Sequence, residues 1–202
     1  MFGGKQMTQD LGSGRSSTNE NFLPVLSTAG QAFFDHLGIT GLRACFEFWR
    51  GCRQGDCVPL KARIDPVAMP RHILPNLFIY ELIDRRFRCR LAGTEIAAAV
   101  DKDPTGRYLD EMASAPAVER RIRLFTGVIE RAIPVVYGGQ LPRADRNALF
   151  FKRLLLPVST NGASVDIVFG MAIFPSIGPQ TIRGRVEDLP YPFEAWATLD
   201  EF

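Results

Sequence analysis

Histidines, cysteines and acidic residues are the side chains of this sequence most able to do chemistry, and their spacing matches no familiar reaction centre. Neither His36 nor His72, the two histidines of the chain, lies near a serine or cysteine and an acid in a pattern used for nucleophilic catalysis. The glycine-rich motifs of two common phosphate-binding loops are also missing. We therefore predict that no residue is catalytic and that the protein is not an enzyme.

The four cysteines, Cys45, Cys52, Cys57 and Cys89, form no Cys-x-x-Cys pair and have no histidine beside them, although zinc sites commonly show such spacing. This predicts no metal site and a set of reduced, structural thiols. A redox role for Cys52 and Cys57 is the alternative, because both lie in a glycine-containing loop where a thiol can be exposed.

Acidic residues cluster at Asp101, Asp103, Asp110 and Glu111, and carboxylate oxygens in such a cluster can bind a hard cation. Their spacing does not fit an EF-hand loop. We interpret them as capping groups of a solvated turn.

Three arginines of a predicted helix, Arg120, Arg121 and Arg123, could together bind a phosphate. Glu119 and Glu130 on the same helix offset their charge. A solvated helix face is therefore the simpler interpretation.

The elements that must position any site are a mixture of strands and helices. Strand-like runs are expected at residues 77–83, 87–93, 133–141, 148–158 and 164–174. In the second run Phe87, Cys89 and Leu91 alternate with arginines, as a half-buried antiparallel strand requires. A tight turn joins the first two runs into a hairpin, and the last three runs indicate a meander.

One amphipathic helix is expected between these two groups of strands, at residues 114–132. Val118, Ile122, Phe125 and Ile129 recur at helical spacing and form its apolar stripe. Prolines near its start and just past its end mark both boundaries.

A second amphipathic helix precedes the sheet and carries Leu42, Cys45, Phe46 and Trp49 on one face. This face either covers the sheet of its own chain or forms the seam of a homodimer, and both can hold together. We predict a homodimer whose interface includes this helix.

The two ends of the chain differ from its centre. The amino-terminal residues are rich in small polar side chains and cannot repay the entropy of ordering, while the carboxyl-terminal residues show neither strand alternation nor a helical stripe. Tyr191, Phe193 and Trp196 in that last segment either pack back across the domain or contact a partner. The predicted organisation is a disordered tail (1–28), a helical extension (29–75), a core (76–177) and a C-terminal arm (178–202).

Composition favours one domain with a substantial core, since 46% of the 202 residues are hydrophobic. The net charge of +2 is too small to indicate a nucleic acid or an anionic membrane as a partner. The longest apolar stretch, residues 167–174, is shorter than the ~20 residues that span a bilayer, and the amino terminus lacks the apolar region of an export signal. A cytoplasmic protein is expected.

The order of a strand pair, short helices, a longer helix and a three-strand meander resembles the PAS superfamily, in particular a compact bacterial variety with an extra amino-terminal helix. The segments that carry the resemblance are FEFWR (46–50), RIDPVAMPRHILPNLF (63–78), FRCRLAGTEI (87–96), DPTGRYL (103–109) and LLLPV (154–158). The resemblance implies an α+β fold in which a five-stranded antiparallel sheet carries the longer helix across one face.

The resemblance also implies that a small molecule binds between the curved sheet and the longer helix. The expected lining residues are Phe87, Cys89, Leu91, Ile122, Phe125, Ile129, Tyr137, Ile167, Phe169 and Met171. Tyr137 would add one oriented hydroxyl group. The alternative is that these side chains fill the core completely, as close-packed interiors do.

Haem and photoactive flavin are disfavoured as cofactors. Haem-binding PAS relatives use a histidine on or near the long helix, and flavin photoreceptors carry a reactive cysteine in an Asn-Cys-Arg-Phe-Leu-Gln-like helix. This sequence has neither. A periplasmic-type sensor is disfavoured as well, for want of flanking membrane helices.

The resemblance therefore implies a cytoplasmic sensory or signalling module that binds a small ligand, a partner protein or both, without catalysis of its own. Two alternatives stay open. One is a small enzyme that uses Tyr137 with a buried carboxylate as acid and base, and the other is a ligand-free interaction scaffold with a dry core.

Overall fold

The computed structural model of the protein describes residues 1, 27–38, 40–55, 57–100, 103–112, 115–141, 149–174 and 192–202. Of the tail predicted to be disordered, residues 2–26 lie outside the described residues. The helices are α1 (Thr28–Leu37), α2 (Gly41–Gly51), α3 (Thr94–Ala99) and α4 (Ala115–Arg131). The strands are β1 (Leu77–Ile83), β2 (Arg86–Ala92), β3 (Val135–Leu141), β4 (Leu149–Val158), β5 (Ile167–Ile173) and β6 (Phe193–Trp196). In the parts of the chain that the structure describes, no helix has the length and apolar character needed to cross a membrane.

All six strands form one antiparallel sheet in the order β2-β1-β5-β4-β3-β6. β1 and β2 form the predicted hairpin. Its turn holds Asp84 and Arg85 at φ values of 49° and 63°, and a two-residue turn with both central φ values positive has a twist that matches the flanking strands. The predicted α+β fold, with helices on an antiparallel sheet, is confirmed.

The sixth strand is a correction, because no strand was predicted in the C-terminal arm. β6 has only four residues, which is the lower limit at which alternation can be recognised in a sequence. It pairs with β3 and is tied to α4. Arg120 donates from Nη2 to the Phe193 carbonyl oxygen at 3.1 Å, and Arg123 forms an ion pair with the Glu194 carboxylate. Tyr191, also predicted as an aromatic anchor, lies outside the described residues.

Helices α1 and α2 cover one face of the sheet. α1 begins after Ser27, whose Oγ accepts a hydrogen bond from the Gly30 backbone N–H at 3.0 Å, as an N-cap residue does. α2 is fastened to β4 by Trp49, whose Nε1 donates to the Pro157 carbonyl oxygen at 2.8 Å. The indole therefore satisfies a buried backbone group while it fills the core.

The apolar face of α2 covers the sheet of its own chain. Leu42, Cys45, Phe46 and Trp49 are each 0% exposed and belong to the core between α2 and the sheet. A dimer seam made of these four side chains is therefore contradicted, because an enclosed side chain cannot contact a second chain. A homodimer itself stays a prediction, and its interface has to use other residues.

Helix α4 lies across the opposite face of the sheet, but it is rotated relative to the predicted stripe. Its buried side chains are Val118, Leu124, Phe125 and Val128. Ile122 keeps 36% of its surface exposed, and Ile129 is only half-buried. Leu124 and Val128 form an equally regular apolar row, and contact with the sheet selects that row.

Candidate ligand-binding site

Several of the predicted lining residues meet in the core between α4 and the sheet. Phe87 and Cys89 of β2, Phe125 of α4 and Tyr137 of β3 are all buried there. Ile129 packs against the edge of the same core. These five predicted residues therefore share one core, but none of the ten predicted residues is among those that line the cavity described below, and their role in binding stays a prediction.

Three predicted lining residues lie on the other face of the sheet. Ile167, Phe169 and Met171 belong to the core under α1 and α2. The prediction of which β5 side chains face α4 was wrong. Side chains alternate between the two faces of a strand, so a shift of one residue exchanges the faces. Every residue of β5 is buried, so its sequence carries no alternation that would show which face each residue takes.

Leu91 also lies away from the predicted site, because of a β-bulge. Ile79 pairs with Leu91, whereas Tyr80 pairs with Cys89, which leaves Arg90 as an extra residue on β2. Such an insertion reverses the alternation beyond it. Leu91 is consequently 40% exposed.

Phe125 is the centre of an aromatic cluster that holds α4 over β1 and β2. Its ring centroid lies 5.1 Å from that of Tyr80, 5.3 Å from that of Phe87 and 6.3 Å from that of Phe78. The contacts with Tyr80 and Phe87 are edge-to-face, an arrangement that aromatic pairs prefer. This cluster fills the core between α4 and the β1–β2 hairpin.

Two arginines form the polar side of the site. Arg153 of β4 is 3% exposed, pairs with Tyr137 in the β3–β4 register and donates from Nη1 to the Tyr137 hydroxyl oxygen at 3.3 Å. Arg121 of α4 donates from Nη2 to the Tyr80 hydroxyl oxygen at 3.5 Å. The Nε of Arg121 is enclosed by protein and has no hydrogen-bond partner among the described residues.

A cavity of about 70 Å³ lies beside these two guanidinium groups. Its described lining residues are Ile96, Val100, Pro104, Arg107, Met112, Arg121 and Arg153. A single ordered water needs roughly 10–15 Å³. The cavity therefore has room for a molecule of a few heavy atoms, and its polar side chains within the described part of the chain are all arginines.

The charge of the site resides on the arginines. Burial and the like charge of Arg153 lower the pKa of Arg121, since both effects disfavour a charged group, but an arginine remains protonated in a protein. Burial raises the pKa of Tyr80 to about 12 and that of Cys89 to about 11. The hydroxyl and the thiol are therefore neutral at physiological pH.

The described members of the predicted acidic cluster, Asp103, Asp110 and Glu111, form no ion pair with these arginines. Asp103 accepts a hydrogen bond from the backbone of its own turn at 2.9 Å. Asp110 and Glu111 both accept hydrogen bonds from Arg86 at 2.9 Å. Asp101 lies outside the described residues, and within the described part of the chain no group of His, Cys, Asp and Glu side chains could hold a metal ion.

The four cysteines are free thiols. Cys45 and Cys89 are buried in the two cores. Cys52 donates from Sγ to the Arg63 carbonyl oxygen at 3.3 Å, and Cys57 is exposed. A redox role for Cys52 and Cys57 stays a hypothesis.

The arginines are the part of the site that was not predicted. Arg121 was assigned to a solvated helix face, and that assignment is wrong, because the rotation of α4 turns its side chain towards Tyr80. The position of Arg153 in the sequence could have identified it as a site residue. It lies in the middle of the apolar run of β4, an interior strand, and a charged side chain buried there needs a partner or a function.

An antiparallel sheet with one long helix above a small polar cavity defines a PAS-like α+β domain. The PAS domain family matches residues 39–173, and the chain belongs to this family. PAS domains are typically sensory and signalling modules. Among solved structures, the PAS domain of an HTR-like protein from Haloarcula marismortui is similar at 15% identity, with a TM-score of 0.34, over 49% of this chain and 79% of that chain. A comparison with curated proteins gave no match.

Proposed function

We propose that this protein is a PAS sensory module that binds a small ligand between α4 and the sheet, and that it has no catalytic activity of its own. The observation that carries the proposal is the cavity of about 70 Å³ with the side chains of Arg107, Arg121 and Arg153 at its wall. Polar groups that converge on a concave, otherwise apolar space are typical of small-molecule sites.

The size of the cavity limits the class of ligand. Pockets for drug-sized molecules occupy about 300–1,000 Å³, well above the 70 Å³ found here. A ligand held in this cavity would be much smaller than haem or flavin. The absence of both cofactors stays a prediction.

The two alternative functions are less well supported. An enzyme that uses Tyr137 needs a carboxylate beside it, whereas the side-chain hydrogen bond to the Tyr137 hydroxyl comes from Arg153, and no carboxylate is among the described residues around the cavity. A dry scaffold would fill its core with apolar side chains, and burying unpaired arginines in such a core would cost free energy.

Helix α4 offers a route from the ligand to the surface. It carries Arg121 at the cavity, and within two positions of Arg121 it carries Arg120 and Arg123, which hold β6. A ligand that moves α4 would therefore alter the strand at the edge of the sheet. The partner that reads this change, the homodimer and the cytoplasmic location are predictions that accompany the proposal.

Native mass spectrometry of freshly purified protein tests the proposal, because it detects a bound small molecule and the subunit count together. Two matched variants locate the ligand. Val100→Phe would fill the cavity from its wall, while Val67→Phe adds the same group at a side chain that is 91% exposed and does not line the cavity.

The expected result is a ligand mass in the wild-type protein and in Val67→Phe that is lost from Val100→Phe. A ligand retained by Val100→Phe would contradict the position of the site. If the purified protein carries no ligand, a thermal-shift screen of small metabolites replaces this experiment. The proposal would then be overturned if the screen found no compound that stabilises Val67→Phe but not Val100→Phe.

A further inference from the structure

The described lining of the cavity carries positive charge without a matching negative charge. Arg107, Arg121 and Arg153 contribute the polar side chains of its described lining, and the other lining residues are apolar or proline. None of these three arginines belongs to an ion pair among the described residues. Two or more buried charges of one sign are unfavourable unless something compensates them.

Among the described residues, hydrogen bonds leave most N–H donors of Arg121 and Arg153 unused. A guanidinium group has five N–H donors. Arg121 and Arg153 each donate to one tyrosine hydroxyl, at 3.5 Å and 3.3 Å, and the enclosed Nε of Arg121 has no partner in the described part of the chain. A hydroxyl is a neutral acceptor and cannot balance the charge, so the part of the site that the structure describes lacks an anionic acceptor.

An oxyanion would supply the negative charge and the hydrogen-bond acceptors that the described lining lacks. Carboxylate and phosphate groups accept two parallel hydrogen bonds from one planar guanidinium group, and such charge-assisted hydrogen bonds are the strong ones. A group of this kind is only a few heavy atoms across, which suits a cavity of about 70 Å³. The apolar wall formed by Ile96, Val100 and Met112 would shield the contact from water.

We infer that the ligand of this PAS domain is a small oxyanion, a carboxylate or phosphate group, held between the guanidinium groups of Arg121 and Arg153. Arg107 contributes a third positive charge at the wall of the cavity, and Tyr80 and Tyr137 orient the two guanidinium groups. This inference rests on the proposed function, since it specifies the ligand of the same cavity.

Titration with acetate and with inorganic phosphate tests the inference on protein that native mass spectrometry shows to be ligand-free. Binding is measured by calorimetry and by the thermal midpoint, with sodium chloride at equal ionic strength as the reference. At least one oxyanion should raise the midpoint of the wild-type protein in a saturable manner. Comparison of the acetate and phosphate titrations shows whether the site prefers a carboxylate or a phosphate group.

Arg121→Met and Arg153→Met should each weaken the affinity for that oxyanion at least tenfold. Arg123→Met is the matched control on the same helix, because the Arg123 side chain is 58% exposed and pairs with Glu194, and its affinity should stay within twofold of wild type. Without oxyanion, Arg121→Met should unfold at or above the wild-type temperature, because it removes an uncompensated charge.

Arg121→Lys keeps the inference testable if a methionine variant does not fold. Lysine retains the positive charge but lacks the planar fork, so an intermediate loss of affinity is expected. Equal oxyanion affinity in wild type, Arg121→Lys and Arg153→Met would overturn the inference, as would the lack of saturable binding of either oxyanion to the wild-type protein.

The failures of the two proposals are distinguishable. A neutral ligand that is lost from Val100→Phe but unaffected by Arg121→Met would leave the sensory cavity in place and overturn the oxyanion. A protein that holds no ligand, binds no oxyanion and responds to no screened compound would overturn both. A ligand-bearing preparation decides the matter directly, because the released molecule either carries an acidic group or does not.

Discussion

Replacing Leu124 by alanine should destabilise the protein much more than replacing Ile122 by alanine, although the two side chains lie two positions apart on α4. Leu124 is 0% exposed, whereas Ile122 is 36% exposed. Truncating a buried leucine to alanine costs about 2–5 kcal/mol, because it removes buried surface and leaves a cavity. At position 122 the lost burial is partial and alanine is the better helix former, so the expected cost is about 1 kcal/mol or less.

The free energy of unfolding in urea measures this difference, with the fluorescence of Trp49 and Trp196 as the signal and linear extrapolation to water. For a protein of this size about 1 kcal/mol shifts the thermal midpoint by about 2–4 °C. Leu124→Ala should therefore lower the midpoint by about 4–20 °C and Ile122→Ala by about 4 °C or less.

The comparison decides the orientation of α4, since the stripe expected from the sequence included Ile122 and omitted Leu124. Equal losses of stability, or a larger loss for Ile122→Ala, would refute the orientation described here. Either result would also contradict the position of Arg121 beside Tyr80. A changed denaturant slope in either variant would show that the two unfolding transitions are not comparable.

Three further predictions concern other parts of the molecule. Trp49→Phe should lower the free energy of unfolding in urea by about 1–3 kcal/mol, because the Pro157 carbonyl oxygen loses its buried donor, and an unchanged value would refute this role. The hydrogen bond from Arg123 lowers the pKa of Glu194, so the ionised carboxylate contributes to the stability of the fold. This contribution is present above the unfolded pKa of about 4.3 and is lost as the pH falls through the lower folded pKa. Glu194→Gln should remove this acid-sensitive part of the stability, by less than about 1 kcal/mol because Arg123 is largely exposed, and thermal unfolding at pH 3 to 7 that matches wild type throughout would contradict it. Light scattering at tens of micromolar protein should give the mass of a homodimer, and a monomer mass would contradict that prediction.

Local patterns in the sequence determined the elements and the family. The β1–β2 hairpin, the long helix and the last three strands of the core were predictable, because each depends on the periodicity of neighbouring residues. The same periodicity identified Phe87 and Cys89 as inward-facing. It also identified Phe125, whose position lies on both possible apolar rows of α4. These residues share one core in the structure.

The tertiary structure alone decided which faces meet. β5 is buried on both sides, so only its pairing with β1 and β4 shows that Phe169 faces α2 rather than α4. Both rows of α4 are apolar enough to pack, and the sheet selects the one that turns Arg121 inward. Arg121 and Arg153 lie far apart in the sequence and come together only because α4 crosses β4. Charge compensation between such residues depends on distance in space, and sequence periodicity carries no information about that distance.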